Sequence, residues 1–326
     1  MSDQLDEHYD VVTKAITDGR VVPFLGAGVN LWNRGAIDEW RPGRCPPSGW
    51  ELTKYLAKTY KYPETGAMDL ARVSQYVAVT SGSGPLYEEL HSLFCVAYEP
   101  NPLHRFLARL PSLMREKNYP RSEDPLRRRL LVVTTNYDDI LERAFEQAGE
   151  PFHVVSYLAD MAKPEQCGKF LHRGPEGACR LIEAGNEYEA LIADQHPVLL
   201  KIHGAVDCAS SEYDSFVITE DHYIDYLTRT DISSVLPVPL PAILKKSHFL
   251  FLGYSLRDWN LRAILRRIWR EQKVDYKSWA IQLDPEEMDK KFWKYRDVEI
   301  HNQRLEDYVV ALSRRLDAAP AAGATR

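Results

Sequence analysis

The sequence lacks a long apolar run, an excess of positive charge, and any two cysteines spaced as C-x-x-C. Each absence excludes something. No segment approaches the ~20 apolar residues that span a bilayer, and the opening MSDQLDEHYD is too acidic for a secretory signal. A cytoplasmic protein without membrane contact is therefore expected. Basic residues number 41 against 47 acidic ones, a formal charge of −6, so the global footprint of a nucleic-acid binder is missing and no direct nucleic-acid binding is expected. Two local clusters, Arg127-Arg128-Arg129 and Arg262, Arg266, Arg267, Arg270, read as solvated helix faces. Cys45, Cys95, Cys167, Cys179 and Cys208 form an odd set without framework spacing, which predicts reduced thiols. The same spacing argues against a structural zinc ribbon, and no metal is expected.

What is present is a set of short, continuously apolar, β-branched runs: residues 20–25 (RVVPFL), 129–134 (RLLVVT), 153–157 (HVVSY), 198–202 (VLLKI), 248–252 (HFLFL) and 278–283 (SWAIQL). Continuous rather than alternating runs suit strands buried on both faces, hence a parallel sheet. Helical stripes alternate with them, over residues 139–149, around Leu261, Ile264, Leu265 and Ile268, from Pro285 to about Tyr295, and over 305–316. The alternation predicts an α/β, Rossmann-like, doubly wound and mostly parallel sheet. Stretches 50–60, 70–79, 86–94 and 103–110 read as helices with no strand between them, so a helical insertion or cap is expected over about 40–125, after the first strand. Residues 159–196 read as irregular structure or a hairpin. The domain is expected over 1–317, with a disordered tail at 318–326 (AAPAAGATR).

In open parallel sheets ligands bind beyond the carboxyl ends of the strands. Four predicted strands end on chemically useful residues: Gly26-Ala27-Gly28, Thr134-Thr135-Asn136-Tyr137-Asp138, His203-Gly204 and Gly253-Tyr254-Ser255. Glycines let backbone amides approach a pyrophosphate. Asn136 offers a donor and an acceptor to a ribose or a water. His203 is the side chain suited to take a proton near neutral pH. Ser255 can bond a phosphate or ribose hydroxyl. Each has a structural reading too: glycine pairs also make plain turns, His203 also fits a core, and Asp138 and Ser255 also fit helix caps, while capping is the role expected of Asp139 and Asp258.

Taken in order, G-A-G-V-N, T-T-N-Y-D, K-I-H-G and L-G-Y-S resemble the NAD-binding signatures of the sirtuin superfamily, over roughly residues 12–316. Residues 47–52 (PSGWEL) and 216–227 (FVITEDHYIDYL) resemble the bacterial sirtuin-like branch of antiphage defence systems rather than protein deacylases. The zinc-ribbon cysteines of deacylases have no counterpart, and residues 35–41 match the family's next loop only loosely. The resemblance implies NAD as substrate and cleavage of its nicotinamide–ribose bond, with Asn136 and His203 catalytic. It implies cofactor contacts from Gly26, Ala27, Gly28, Thr135, Asp138, Gly204, Gly253 and Ser255, with Asp138 meeting the nicotinamide carboxamide. It also implies a homo-oligomer, or a complex with a separately encoded ring ATPase or short Argonaute-like protein.

Other classes remain open at this level. They are a non-catalytic NAD or ADP-ribose sensor or assembly module, an NAD-dependent deacylase or ADP-ribosyl transferase, and a serine hydrolase built from Ser255, Asp284 and His301. The hydrolase reading meets Arg257 where a nucleophile elbow needs a small residue.

Overall fold

The structure is a computed structural model and describes residues 2–34, 40–63, 66, 68–159, 164–185, 191, 194–228, 236–237, 239–254, 265 and 277–322. Nine strands form one sheet among the described residues: β1 (Val21–Leu25), β2 (Leu131–Thr134), β3 (His153–Tyr157), β4 (Phe170–Arg173), β5 (Cys179–Ile182), β6 (Val198–Lys201), β7 (His248–Leu252), β8 (Ser278–Gln282) and β9 (Val298–Asn302). Their order is β5-β4-β3-β6-β2-β1-β7-β8-β9. Every pairing from β3 across to β9 is parallel, while β4 and β5 form an antiparallel hairpin on one edge. The apolar runs become strands for the expected reason: every residue of β2, β3 and β6 is buried, so both faces are covered.

The chain runs from β1 to β2 and on to β3, adds the β4–β5 hairpin at the edge, returns to β6 between β3 and β2, and then crosses to the other side of β1 for β7, β8 and β9. The order therefore reverses between β1 and β7, which is where a doubly wound sheet opens a crevice at its carboxyl ends.

Among the described residues the α-helices are α1 (Ser2–Thr17), α2 (Gly49–Thr59), α3 (Leu70–Ser81), α4 (Ser83–Phe94), α5 (Pro102–Glu116), α6 (Ile140–Gln147), α7 (Glu220–Thr228), α8 (Pro239–Lys245), α9 (Glu287–Lys294) and α10 (Leu305–Ala318). One face of the sheet is covered by α1, α5, α6 and α10, through side chains such as Val12, Leu107, Phe145 and Leu312. The other is covered by α7, α8 and α9, through Tyr226, Leu240 and Trp293. A third core belongs to α2, α3 and α4, where Leu52, Leu56, Val73, Leu86 and Leu90 gather around Tyr137 and Phe216. No helix among the described residues is long and apolar enough to cross a membrane.

Among the described residues four α-helices, α2 to α5, lie between β1 and β2. Helix α5 packs on the sheet with α6, and only α2–α4 build the separate cap. Residues 159–196 contain the β4–β5 hairpin. The expectation of reduced thiols fails at one pair: Cys95, just past α4, and Cys208, in the loop after β6, are joined as a disulfide with Cα atoms 5.4 Å apart. Arg129 is no solvated residue either; it is buried, and its guanidinium donates to the Asp194 carbonyl. The start of the expected tail is anchored, since Ala322 N donates to Lys117 O at 2.7 Å and Tyr119 Oη donates to Pro320 O at 2.7 Å. Arg262, Arg266, Arg267, Arg270, Ser255, Asp258 and Asp38 lie outside the described residues.

Candidate functional site

A cavity of about 420 Å³ opens at the carboxyl ends of β1, β2, β6 and β7, roofed by the start of α2. Gly26, Ala27, Gly28, Thr135, Asn136, Asp138, His203 and Gly253 all line it, so these predicted residues meet in one place. Gly204 is not among the lining residues. Its φ of +86° and the 2.0 Å that would separate an added Cβ from Ser215 O mark it as a turn glycine.

The glycines at the end of β1 have another reason than the one their sequence suggests. Gly26 N donates to Leu252 O at 3.1 Å, and Gly28 N donates to Gly253 O at 2.8 Å. Both amides are therefore engaged by the β7 end and are not spare donors for a pyrophosphate. A Cβ on Gly28 would stand 2.5 Å from Gly253 O, and one on Gly253 would stand 2.2 Å from Val29 N. Glycine is required here because two backbones touch. Ala27 opens the short 3-10 turn Ala27–Leu31, and the first amides of such a turn have no partner within it.

The β2 end is held by the same loop. Thr135 N donates to Leu25 O at 3.2 Å, Asn136 N to Thr134 Oγ1 at 3.0 Å, and Asn136 Nδ2 to Gly26 O at 3.4 Å. Asp138 is buried and accepts from Asn30 Nδ2 at 2.9 Å and from Ile140 N at 3.2 Å. It thereby caps α6, a role expected of Asp139, which instead pairs with Arg143 at 2.9 Å. Burial raises the Asp138 carboxyl above its usual range, against the pull of the nearby Lys201 ammonium. Lys201, itself buried, donates to Asp138 O at 2.5 Å and to Glu142 Oε1 at 2.7 Å.

His203 is 3% exposed and its Nε2 is buried without a hydrogen-bond partner. Burial lowers its pKa to about 3, so the imidazole is neutral. Its ring lies edge-on to Tyr223, with centroids 5.6 Å apart, and to Tyr226 at 6.1 Å. Both tyrosines come from α7, the product of the FVITEDHYIDYL stretch, whose start is capped by Thr219 Oγ1 accepting from His222 N at 3.1 Å.

The PSGWEL stretch also has a local cause. Ser48 and Glu51 form a reciprocal capping box that starts α2, and Arg34, beyond the 3-10 turn, pairs with Glu51. This leaves Trp50 at the cavity mouth, 53% exposed. Asn101 ties α5 to the same turn, with Nδ2 donating to Val29 O at 2.7 Å.

Sequence reasoning missed Asn30, Trp50, Tyr223 and Tyr254, all of which line the cavity. Asn30 had a usable signal, a polar residue within one turn of the glycine pair. Asp284 and His301 do not pair: Asp284 N bonds Asn302 Oδ1 at 2.9 Å, while His301 stacks on His8 at 3.7 Å. The serine-hydrolase arrangement is therefore not assembled among the described residues. After His203, where deacylases place a zinc ribbon, the chain makes a short loop in which Asp207 N donates to Asp214 Oδ1 at 2.6 Å.

Residues 130–301, more than half of the chain, match the family model described as a SIR2-like domain. The chain belongs to the SIR2-like domain family. The chain is similar in sequence to Defense-associated sirtuin 2 of Bacillus subtilis, 24% identical over 280 residues that make up 84% of this chain and 22% of that protein. It is similar to the NAD(+) hydrolase ThsA of Acinetobacter baumannii (strain 532279), 28% identical over 259 residues, 79% of this chain and 41% of that one. ThsA of Enterococcus faecium is 25% identical over 258 residues, 78% and 41% of the two chains. The chain spans well under half the length of these relatives.

Proposed function

We propose that this SIR2-like chain hydrolyses NAD, cleaving the nicotinamide–ribose bond to give nicotinamide and ADP-ribose. The observation that carries the reading is that Asn136 and a neutral, buried His203 line one cavity with the glycine turn at the switch point of the sheet. The names of the two ThsA relatives point the same way.

In the reaction, water adds to the ribose C1′ as its bond to the nicotinamide nitrogen breaks, through an oxocarbenium-like state. The bonding electrons leave with nicotinamide, which becomes neutral, and the proton of the attacking water passes to His203 or to solvent. Asn136 orients the ribose and the water. A general base contributes ~10²–10⁴-fold, most when its pKa lies near the working pH; His203, lowered to about 3 by burial, stands at the low end of that range. The neutral imidazole suits this task, because a protonated ring would repel the cationic pyridinium before cleavage.

The assignment for the carboxamide moves from Asp138 to Asn30. Asp138 spends its carboxylate on Asn30 and the α6 cap, whereas Asn30 Oδ1 is buried without a partner on the cavity wall. Asn30 is therefore the group assigned to accept from the nicotinamide amide, with Asp138 holding it in place. Trp50 offers an exposed ring on which a flat base can stack.

The family resemblance extends the reading to NAD depletion in antiphage defence by a cytoplasmic homo-oligomer, or by a complex with a ring ATPase or short Argonaute-like protein. The deciding experiment follows the products of NAD incubated with the protein, alone and with an acyl-lysine peptide. Nicotinamide and ADP-ribose in equal amounts, independent of the peptide, support hydrolysis; peptide-dependent O-acyl-ADP-ribose supports deacylation instead. Bound but unconsumed NAD supports a sensor.

A further inference from the structure

Three side chains with metal-ligating atoms converge at the amino-terminal edge of the sheet, the end away from the NAD cavity. His153 opens β3, and Asp194 and His196 lie just before β6, whose Val198 is the register partner of His153. His153 Nε2 stands 3.0 and 3.1 Å from the two carboxylate oxygens of Asp194. His196 Nδ1 stands 3.2 Å from Asp194 Oδ2, yet it is buried and out of line for a hydrogen bond. One donor atom from each residue falls within 4.8 Å of the others.

We propose that His153 Nε2, Asp194 Oδ2 and His196 Nδ1 bind a divalent transition-metal ion of the zinc class. Two imidazoles and a carboxylate are a donor set that zinc and its neighbours accept. In a tetrahedral site with bonds of ~2.0–2.1 Å, adjacent donors are ~3.3 Å apart, and the contacts to Asp194 Oδ2 already match two such edges. The third edge closes by rotation of His196, whose side chain is 40% exposed. The same exposure leaves a fourth position for water.

The ring of His153 is held for this task. Its Nδ1 lies 2.8 Å from Nε2 of the buried His172, so in the ligating tautomer His153 Nδ1–H donates to His172, the outer bond that metal-bound histidines ordinarily make. Arg129 is the competing cation. It donates to the Asp194 carbonyl and stands 3.7 Å from Oδ1. It therefore serves the other carboxylate oxygen and leaves Oδ2 to the two imidazoles. An ion here clips the segment entering β6 to the start of β3. Its role is structural, and it does not depend on the NAD reading.

The test is calorimetric titration of Zn²⁺ into the chelator-treated full-length protein, with the variant Asp194→Asn/His196→Ala beside it. Both altered side chains are partly exposed, and the two proteins are compared by melting in chelator to establish that the variant folds. The proposal expects one ion per chain, a raised Tm for wild type alone, and an affinity at least ~10-fold weaker in the variant. Co²⁺ on wild type gives the intense visible absorption of a four-coordinate site, lost in the variant. Wild type that takes up no stoichiometric ion, or a variant that binds Zn²⁺ as tightly as wild type, overturns it.

Discussion

Asn30 and Asp138, 108 residues apart, join the turn after β1 to the loop after β2 through a buried 2.9 Å hydrogen bond. The bond commits the Asn30 amide nitrogen to Asp138 and leaves its oxygen without a protein partner. Asn30→Ala leaves Asp138 one donor short in a buried setting, which costs ~1–3 kcal/mol, and removes the group assigned to the nicotinamide amide. Urea denaturation is expected to show that loss, and nicotinamide release to slow by ~10-fold or more. A variant with wild-type stability and rate would remove Asn30 from both roles.

The contact between Gly28 and Gly253 makes a second expectation. Gly253 has a φ of +62° and a Cβ would meet Val29 N at 2.2 Å, while Gly149 has a φ of +67° with nothing within 4 Å. Gly149→Ala is expected to cost only the ~1 kcal/mol of left-handed backbone. Gly253→Ala adds a backbone collision to that strain and is expected to cost clearly more, with loss of NAD binding, as read by denaturation and by ligand-induced shifts in Tm. Equal costs at the two positions would contradict the close packing of the two loops.

The buried Lys201–Glu142 pair lies directly beneath the site. Removing one partner strands the other charge, so Lys201→Met is expected to lose ~3–5 kcal/mol. The double variant Lys201→Met/Glu142→Leu replaces both charges with apolar groups and is expected to recover most of that loss. The comparison is made by urea denaturation at pH 7.

Acidification gives a fourth expectation. Burial lowers the pKa of His203, His104 and His8 to about 3 and of His172 to about 4, from an ordinary 6.5. Between those limits the unfolded chain binds protons that the folded chain refuses, so stability falls as pH drops from 6.5. Each histidine contributes at most ~1.4 kcal/mol per pH unit. Asp138, raised by burial, works in the opposite direction. Denaturation midpoints from pH 7 to pH 4 should fall steadily. Protonation of His203 should add no acid limb to kcat/KM between pH 5 and 8, because the ring is already neutral there.

The parts of the fold readable in the sequence were those with a local physical signature. Strands β1, β2, β3, β6, β7 and β8 announced themselves as continuous apolar runs, because helices cover both faces. Strand β9 was missed because Val298 is buried while Glu299 and Asn302 are exposed, a pattern too mixed for that signal. Helix α1 was missed although Tyr9, Val12 and Ile16 sit at helical spacing on its buried side.

Most of the candidate residues named from the sequence line one cavity, but local pattern does not show what each of them bonds. Strand-end glycines marked the cavity, yet only the fold shows that their amides bond the β7 loop. Asp138 and Asn30 could not be paired from sequence, nor could Cys95 and Cys208, 113 residues apart. Such contacts depend on topology, and local pattern carries no trace of them.

Hydrolysis of NAD is assigned to the cavity shared by Asn136 and His203. The most direct measurement is the rate of nicotinamide release from NAD by the protein, set beside Asn136→Ala and His203→Ala variants shown to fold by their Tm. Release by wild type is expected, with a loss of at least ~100-fold in either variant and NAD binding changed far less. Absence of release by wild type, or two variants that release nicotinamide at the wild-type rate, would contradict it.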